Sequence, residues 1–302
     1  MAKKRDHLRG PIGWERVRAI FNWPRPPVTV WERQFDYCDD GLQRLARTPY
    51  EEIDFSDLWY YFHDLAYVEL QPDLFDYLFP VCLMDWHRSL MGDEICGHGD
   101  ADFHRGLQHG RVLEKMLTPE RREAVHEFFR DSFLERLDTE RGFFCSRNEL
   151  DPFAWIRRFN TLGIIMPRID LVWESWWSLE TPGRAVAALE YVSGLMDYQG
   201  DHPLLPERLN GYFRFFLWMN DAAWCDPIWM SNNLDYLRST LTAEFVEDGV
   251  SRAVARLRGE PEEGQALQIE HDLIDRRDLV VIRIEDLLGL LSNPDSGGWW
   301  GD

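Results

Sequence analysis

The chain has 302 residues, with 53 Asp and Glu against 33 Lys and Arg, a formal charge of −20, and 45% hydrophobic residues. That balance supports a folded core without disulfides or metals and excludes disorder as a whole-chain state. No apolar run approaches the roughly 18 uncharged residues of a membrane-spanning helix, so an integral membrane protein is not expected.

The first segment, residues 1–27, carries seven basic and two acidic side chains, so the body that follows holds the acidic excess. Met1 to Arg9 is basic but runs into polar residues instead of an apolar stretch, which does not read as a secretory signal. From Asp36 to Asp76 there are eleven carboxylates, balanced only by Arg44 and Arg47. Such a field repels nucleic acid and anionic membranes and steers a basic protein surface towards it. Asp36, Asp39, Asp40, Glu51, Glu52, Asp54 and Asp57 are the candidate partner-binding residues of this stretch.

Helix signals then recur along the chain. Proline stands at Pro72, Pro119, Pro152, Pro182, Pro206 and Pro227, each ahead of a helix-compatible run. The missing N–H of proline costs nothing at a first helical position. Thr118, Asp151, Thr181 and Asp226 precede four of these prolines, where a side-chain oxygen can cap the first turn. The apolar run Leu74 to Leu90 contains Pro80, which is expected to kink it or start a second helix. Val125, Phe128, Phe129, Phe133 and Leu137 form a helical stripe, as do Ala185, Leu189, Val192 and Met196. Two long helices are expected near the end, at about 228–258 and 265–291, joined by Gly259 to Gly264. The β-branched run Val280 to Ile284 competes as a strand, but Leu273, Val280, Ile284, Leu287 and Leu291 keep helical spacing. A strand pair around 143–175 is the β element this pattern could hide.

The expected fold is therefore all-α: a compact multi-helix domain, with one continuous core or two helical lobes. Its expected parts are a basic segment 1–27, an acidic lobe 28–145, a tryptophan-rich lobe 146–291 and a tail 292–302. Seven of the fourteen tryptophans fall between Trp155 and Trp229. Most are expected in the core. Trp176 and Trp177, adjacent on a helix, point about 100° apart. Trp176 is expected to pack with Trp173, leaving Trp177 as a contact residue for a partner.

One window is rich in metal-ligand chemistry: Cys96, His98, Asp100, His104 and His109, separated by glycines. A divalent ion such as zinc takes thiolate, imidazole and carboxylate ligands. The spacing matches no standard zinc pattern, and His104 and His109 fall on different faces if the segment is helical. The window is expected to be a mobile connection, and no cofactor is expected beyond such an ion. His63-Asp64 resembles the paired His-Asp of a helical metal-dependent phosphohydrolase family, but the family's upstream His and downstream Asp are not in place. No glycine-rich phosphate loop, nucleophile elbow or His-Glu-x-x-His is present. Five cysteines without a C-x-x-C pair read as reduced thiols of a cytoplasmic protein.

Tyr77-Leu78-Phe79-Pro80 followed by Leu117-Thr118-Pro119-Glu120 resembles a class of uncharacterised bacterial helical domains. There, a Tyr-Leu-Pro helix precedes a Leu-Thr-Pro helix start. The resemblance covers about 28–138 and implies a helical fold there, with no catalytic residues.

Two functions are compatible with these features. One is a non-catalytic acidic protein of inhibitor or immunity type that binds and occludes a macromolecular partner, a protein with a basic surface. The alternative is a metal- or ligand-binding enzyme using the Cys96–His109 window.

Overall fold

Proline and threonine start helices here for local reasons. In the computed structural model, Pro72 and Pro182 occupy first-turn positions, and Thr181 accepts a hydrogen bond from the Arg184 N–H. Thr118 does the same for Arg121. The structure describes residues 11–22, 24–34, 39–92, 98–143, 153–197 and 229–292. Within these, the side chains of 11–13, 51, 55, 59, 60, 63, 98–102 and 105 are not described. Among the described residues there are thirteen α-helices and no strand, so the all-α class holds. No helix among them is long and apolar enough to cross a membrane.

The chain divides into two compact units between Ser132 and Phe133. This lies within a helix and upstream of the boundary expected near 145.

The first unit contains α1 (Pro11–Phe21), α2 (Asp39–Leu45), two short 3-10 turns (Tyr50–Glu52 and Phe55–Leu58), α3 (Trp59–Tyr67) and α4 (Pro72–Met91). It continues with α5 (His98–His109), α6 (Val112–Met116) and the start of α7 (Pro119–Thr139). α4 is the centre of this unit. It runs on through Pro80, so no second helix starts there, and buries twelve of its twenty residues, from Leu74 to Leu90. A helix apolar on most sides must be enclosed by neighbours. α1 packs on it, with Phe21 edge-on to Phe79 at 5.9 Å.

α5 corrects the expectation that glycine breaks any helix in this window, of which Cys96 and Gly97 lie outside the described residues. It is a helix packed on α3, with Phe103, His104, Gly106 and Leu107 buried. Its glycines allow close approach instead of breaking the helix. A Cβ on Gly106 would lie 2.8 Å from the Phe62 carbonyl oxygen, and one on Gly110, just beyond α5, 1.9 Å from that of Leu65. Neither backbone contact can yield to a larger residue.

The second unit contains the end of α7, α8 (Ala154–Ile165), α9 (Ile169–Trp177), α10 (Pro182–Leu195), α11 (Ser231–Thr240), α12 (Ala243–Arg256) and α13 (Glu263–Ser292). α10 is its axis. Every residue from Ala185 to Leu195 is buried, not one stripe only, because α8, α9, α12 and α13 all pack against it. Its many small residues let those neighbours close in. The long helix expected at 228–258 is two helices. Leu241 is extended, and Thr242 caps a new start by accepting from the Phe245 N–H at 3.2 Å. α13 is continuous through Val280 to Ile284, where the strand competed.

The tryptophan-rich region forms the core of this unit. Trp155 donates to buried Glu190 at 2.7 Å, Trp176 to the Arg184 carbonyl at 3.2 Å, and Trp229 to the Asn160 carbonyl at 2.8 Å. The expected split of Trp176 and Trp177 is corrected: both are buried, at 0% and 3% exposure. The buried stripe of α9, Ile169, Val172, Trp173, Trp176 and Trp177, is wide enough to take both indoles, while Leu171 and Glu174 face outwards. Trp177 sits against Phe245 at 4.9 Å and against Gly249, where a Cβ would come within 2.6 Å of its ring. It is a core residue and no contact for a partner. Trp218, Trp224, Trp299 and Trp300 lie outside the described residues, as do the segments 1–10 and 293–302.

Candidate functional site

The described part of the acidic lobe folds around a cavity of about 380 Å³ in the first unit. Four pieces of chain form its wall: the extended stretch ending at Gln34, α2 with Arg44, the two 3-10 turns with Glu52, Ser56 and Asp57, and α3 with Tyr61. Local chemistry sets each piece. Asp54 accepts from both the Ser56 N–H at 3.0 Å and its hydroxyl at 2.8 Å, a side-chain turn that starts the second 3-10 piece. Tyr50 stacks on Tyr77 at 4.7 Å and donates to the Tyr77 carbonyl at 2.8 Å, tying the first 3-10 turn to α4. Asp39 accepts from the Gln34 N–H at 2.9 Å and from Arg33 at 2.7 Å. These bonds hold the Asp39 carboxyl below its ordinary range, the Gln34 N–H contributing most.

Gln71 holds the middle of the extended stretch, where Gln43 also donates to the Val30 carbonyl at 3.0 Å. Gln71, at the start of α4, accepts from the Trp31 N–H at 2.7 Å and donates its side-chain amide to the Thr29 carbonyl at 2.7 Å. Its own backbone N–H donates to the Glu32 carboxylate at 2.6 Å. Glu32 is thereby drawn inside, at 2% exposure. Burial raises its pKa to about 8; the Gln71 N–H lowers it, and neighbouring Asp64 raises it. Asp64, also buried, accepts from the Gln34 side-chain amide. Next to these carboxyls lies Tyr61, 1% exposed, whose hydroxyl has no hydrogen-bond partner among the described residues. Its phenol stays neutral because burial, then Glu32, Cys82, Asp64 and Asp76, push its pKa well up.

Glu32 and Tyr61 do not stand out in the sequence as site residues, and Asp64 does so only as half of the His63-Asp64 pair. The bonds that collect them run from Gln71 and Gln34 to residues 30 to 42 positions away. A further signal was that this carboxylate is set inside the aromatic run Tyr60 to Tyr67.

The acidic candidates do not share one environment. Asp39 is ion-paired, while Asp40, Glu52 and Asp57 are exposed and make no ion pair among the described residues. Glu52 and Asp57 line the cavity. Asp54 is exposed but committed to its turn. Asp36 and the Glu51 side chain lie outside the described residues.

Of the histidine window, the side chains of His104 and His109 are described, and they lie in different surroundings. His104 is buried in the aromatic core beside Trp86, Phe103 and Phe129, whereas His109 is exposed against Tyr67 at 5.7 Å. Among the described residues no three His, Cys, Asp or Glu side chains are arranged to hold a metal ion. Cys96 and the side chains of His98, Asp100 and His63 lie outside the described residues. Cys82 is a buried thiol whose pKa burial pushes up, the setting of an inert cysteine.

No protein-family model, curated protein or solved structure matches the chain.

Proposed function

We propose that the chain is a non-catalytic acidic protein that binds and occludes a protein partner with a basic surface, in the manner of an inhibitor or immunity protein. Asp40, Glu52 and Asp57 carry this reading: three exposed carboxylates without an ion pair among the described residues, two of them at the wall of a cavity. Their mutual repulsion is relieved by an opposing basic surface, which also gains speed of encounter from the long-range field. The reading places the protein in the cytoplasm, where its cysteines stay reduced. It also keeps the first unit within the helical-domain class that the Tyr-Leu-Phe-Pro and Leu-Thr-Pro segments resemble.

The test is capture of partners from the native host by the full chain at low and at high salt. A basic protein bound at low salt and released at high salt is expected. A partner held equally at both, or a capture set without basic proteins, overturns the proposal.

A further inference from the structure

We propose that the stretch Pro24 to Val28 is a docking ligand for a protein whose aromatic groove reads a polyproline II helix, with a carboxylate to meet Arg25. The inference is independent of the acidic face and concerns a second partner.

The chemistry of the stretch dictates its shape. The rings of Pro24, Pro26 and Pro27 fix φ at about −65°. A residue before proline is pushed out of the helical region, so Arg25 and Pro26 are held extended as well. All four residues therefore favour polyproline II, with about three residues per turn and no internal hydrogen bonds. The structure agrees. Pro24 to Pro27 lie in no α-helix or strand, and the chain bends only at Val28-Thr29. No backbone carbonyl from Pro24 to Val28 accepts a hydrogen bond among the described residues.

Exposure follows the same period of about three residues. Pro24, Pro27 and Val30 are half-buried, so one edge lies on the first unit. Arg25, Val28 and Trp31 are exposed, Val28 at 98%. Pro26 and Thr29 are exposed as well. The edges turned outwards thus carry a cation, an aliphatic side chain and a pyrrolidine ring side by side.

Both ends of the stretch are anchored. Upstream, α1 ends at Phe21, which is buried against Phe79. Downstream, the Thr29 carbonyl accepts from Gln71 at 2.7 Å and the Val30 carbonyl from Gln43 at 3.0 Å. The ligand is held in its binding shape before it meets a partner, which lowers the ordering cost of association.

This chemistry selects the kind of partner. Proline-reading domains present aromatic rings that take successive side chains of such a helix, here Pro26 and Val28. Their indole and phenol groups donate to the ligand's free carbonyls. Arg25, in no ion pair among the described residues, meets a carboxylate that fixes the direction of docking. Addition to a sheet edge does not suit the stretch, since Pro24, Pro26 and Pro27 have no N–H to give a ladder.

The experiment titrates isotope-labelled SH3, WW and EVH1 domains with the full chain, followed by nuclear magnetic resonance. At least one domain is expected to shift at its aromatic groove, with a Kd of about 1 mM or tighter. Pro26→Ala/Pro27→Ala is expected to bind about tenfold more weakly, and Arg25→Glu about threefold, each with unchanged circular dichroism. Pro261→Ala, an exposed proline outside the stretch, is expected to bind as wild type does. No groove shift in any of the three domains overturns the inference. So does equal binding by Pro26→Ala/Pro27→Ala. Binding that survives the proline changes and falls only with Arg25→Glu is plain charge attraction, and overturns it too.

Discussion

Two buried residues carry consequences that a single substitution can expose. Glu32 is neutral when folded up to a pKa of about 8, because water is excluded from its carboxyl, against an ordinary value of 4.5. The folded chain therefore keeps a proton that the unfolded chain releases. Stability is greatest below pH 4.5 in this respect and falls as pH rises to about 8, by on the order of 5 kcal/mol. Glu32→Gln, which keeps the shape and cannot ionise, is expected to flatten that part of the stability curve in denaturant titrations. An unchanged slope between the two pH values contradicts the burial of an ionisable Glu32. Trp177 is the second residue. Its removal opens a large space between α9 and α12, and Trp177→Ala is expected to cost about 3–5 kcal/mol by chemical denaturation. A folded variant of wild-type stability places the indole at the surface after all. The sequence pattern correctly assigned Trp173 and Trp176 to the core but not Trp177. Helical geometry tells how far two neighbours diverge, while only the packing of Phe245 and Gly249 decides that both directions are interior.

At the scale of elements, what is local was legible and what is tertiary was not. Thr118-Pro119 and Thr181-Pro182 start helices because a hydroxyl and a missing N–H act within one turn, and the structure places both as expected. The break at Leu241-Thr242 depends on equally local chemistry, but the apolar period runs across it and concealed the cap. Thr242→Ala is expected to destabilise by about 1 kcal/mol, measured by thermal or denaturant unfolding, since the Phe245 N–H loses its acceptor. No loss would mean that the helix does not restart there. α5 shows the opposite error. Gly106 reads as a breaker, whereas it and Gly110 bring α5 against the carbonyls of Phe62 and Leu65. Gly110→Ala is expected to lose about 2 kcal/mol or more, because backbone, not a flexible side chain, stands in the way. The cavity site was illegible for the same reason: Gln71 and Gln34 join segments that no periodicity links.

For the whole molecule, the formal charge of −20 belongs to every surface, and a basic partner could in principle respond to that total alone. The proposed recognition is narrower. It belongs to the unpaired carboxylates of the first unit beside the cavity, and not to the equally acidic outer face of α13. Two variants with the same change of charge separate these views. One is Asp40→Asn/Glu52→Gln/Asp57→Asn. The other is Asp275→Asn/Glu285→Gln/Asp286→Asn on α13, where the three side chains are likewise exposed. The most direct measurement is capture of the basic partner from the native host at low salt by wild type and by both variants, each verified as folded. Recognition by the first unit predicts that the first variant loses the partner and the second retains it; equal retention or equal loss by the two contradicts it.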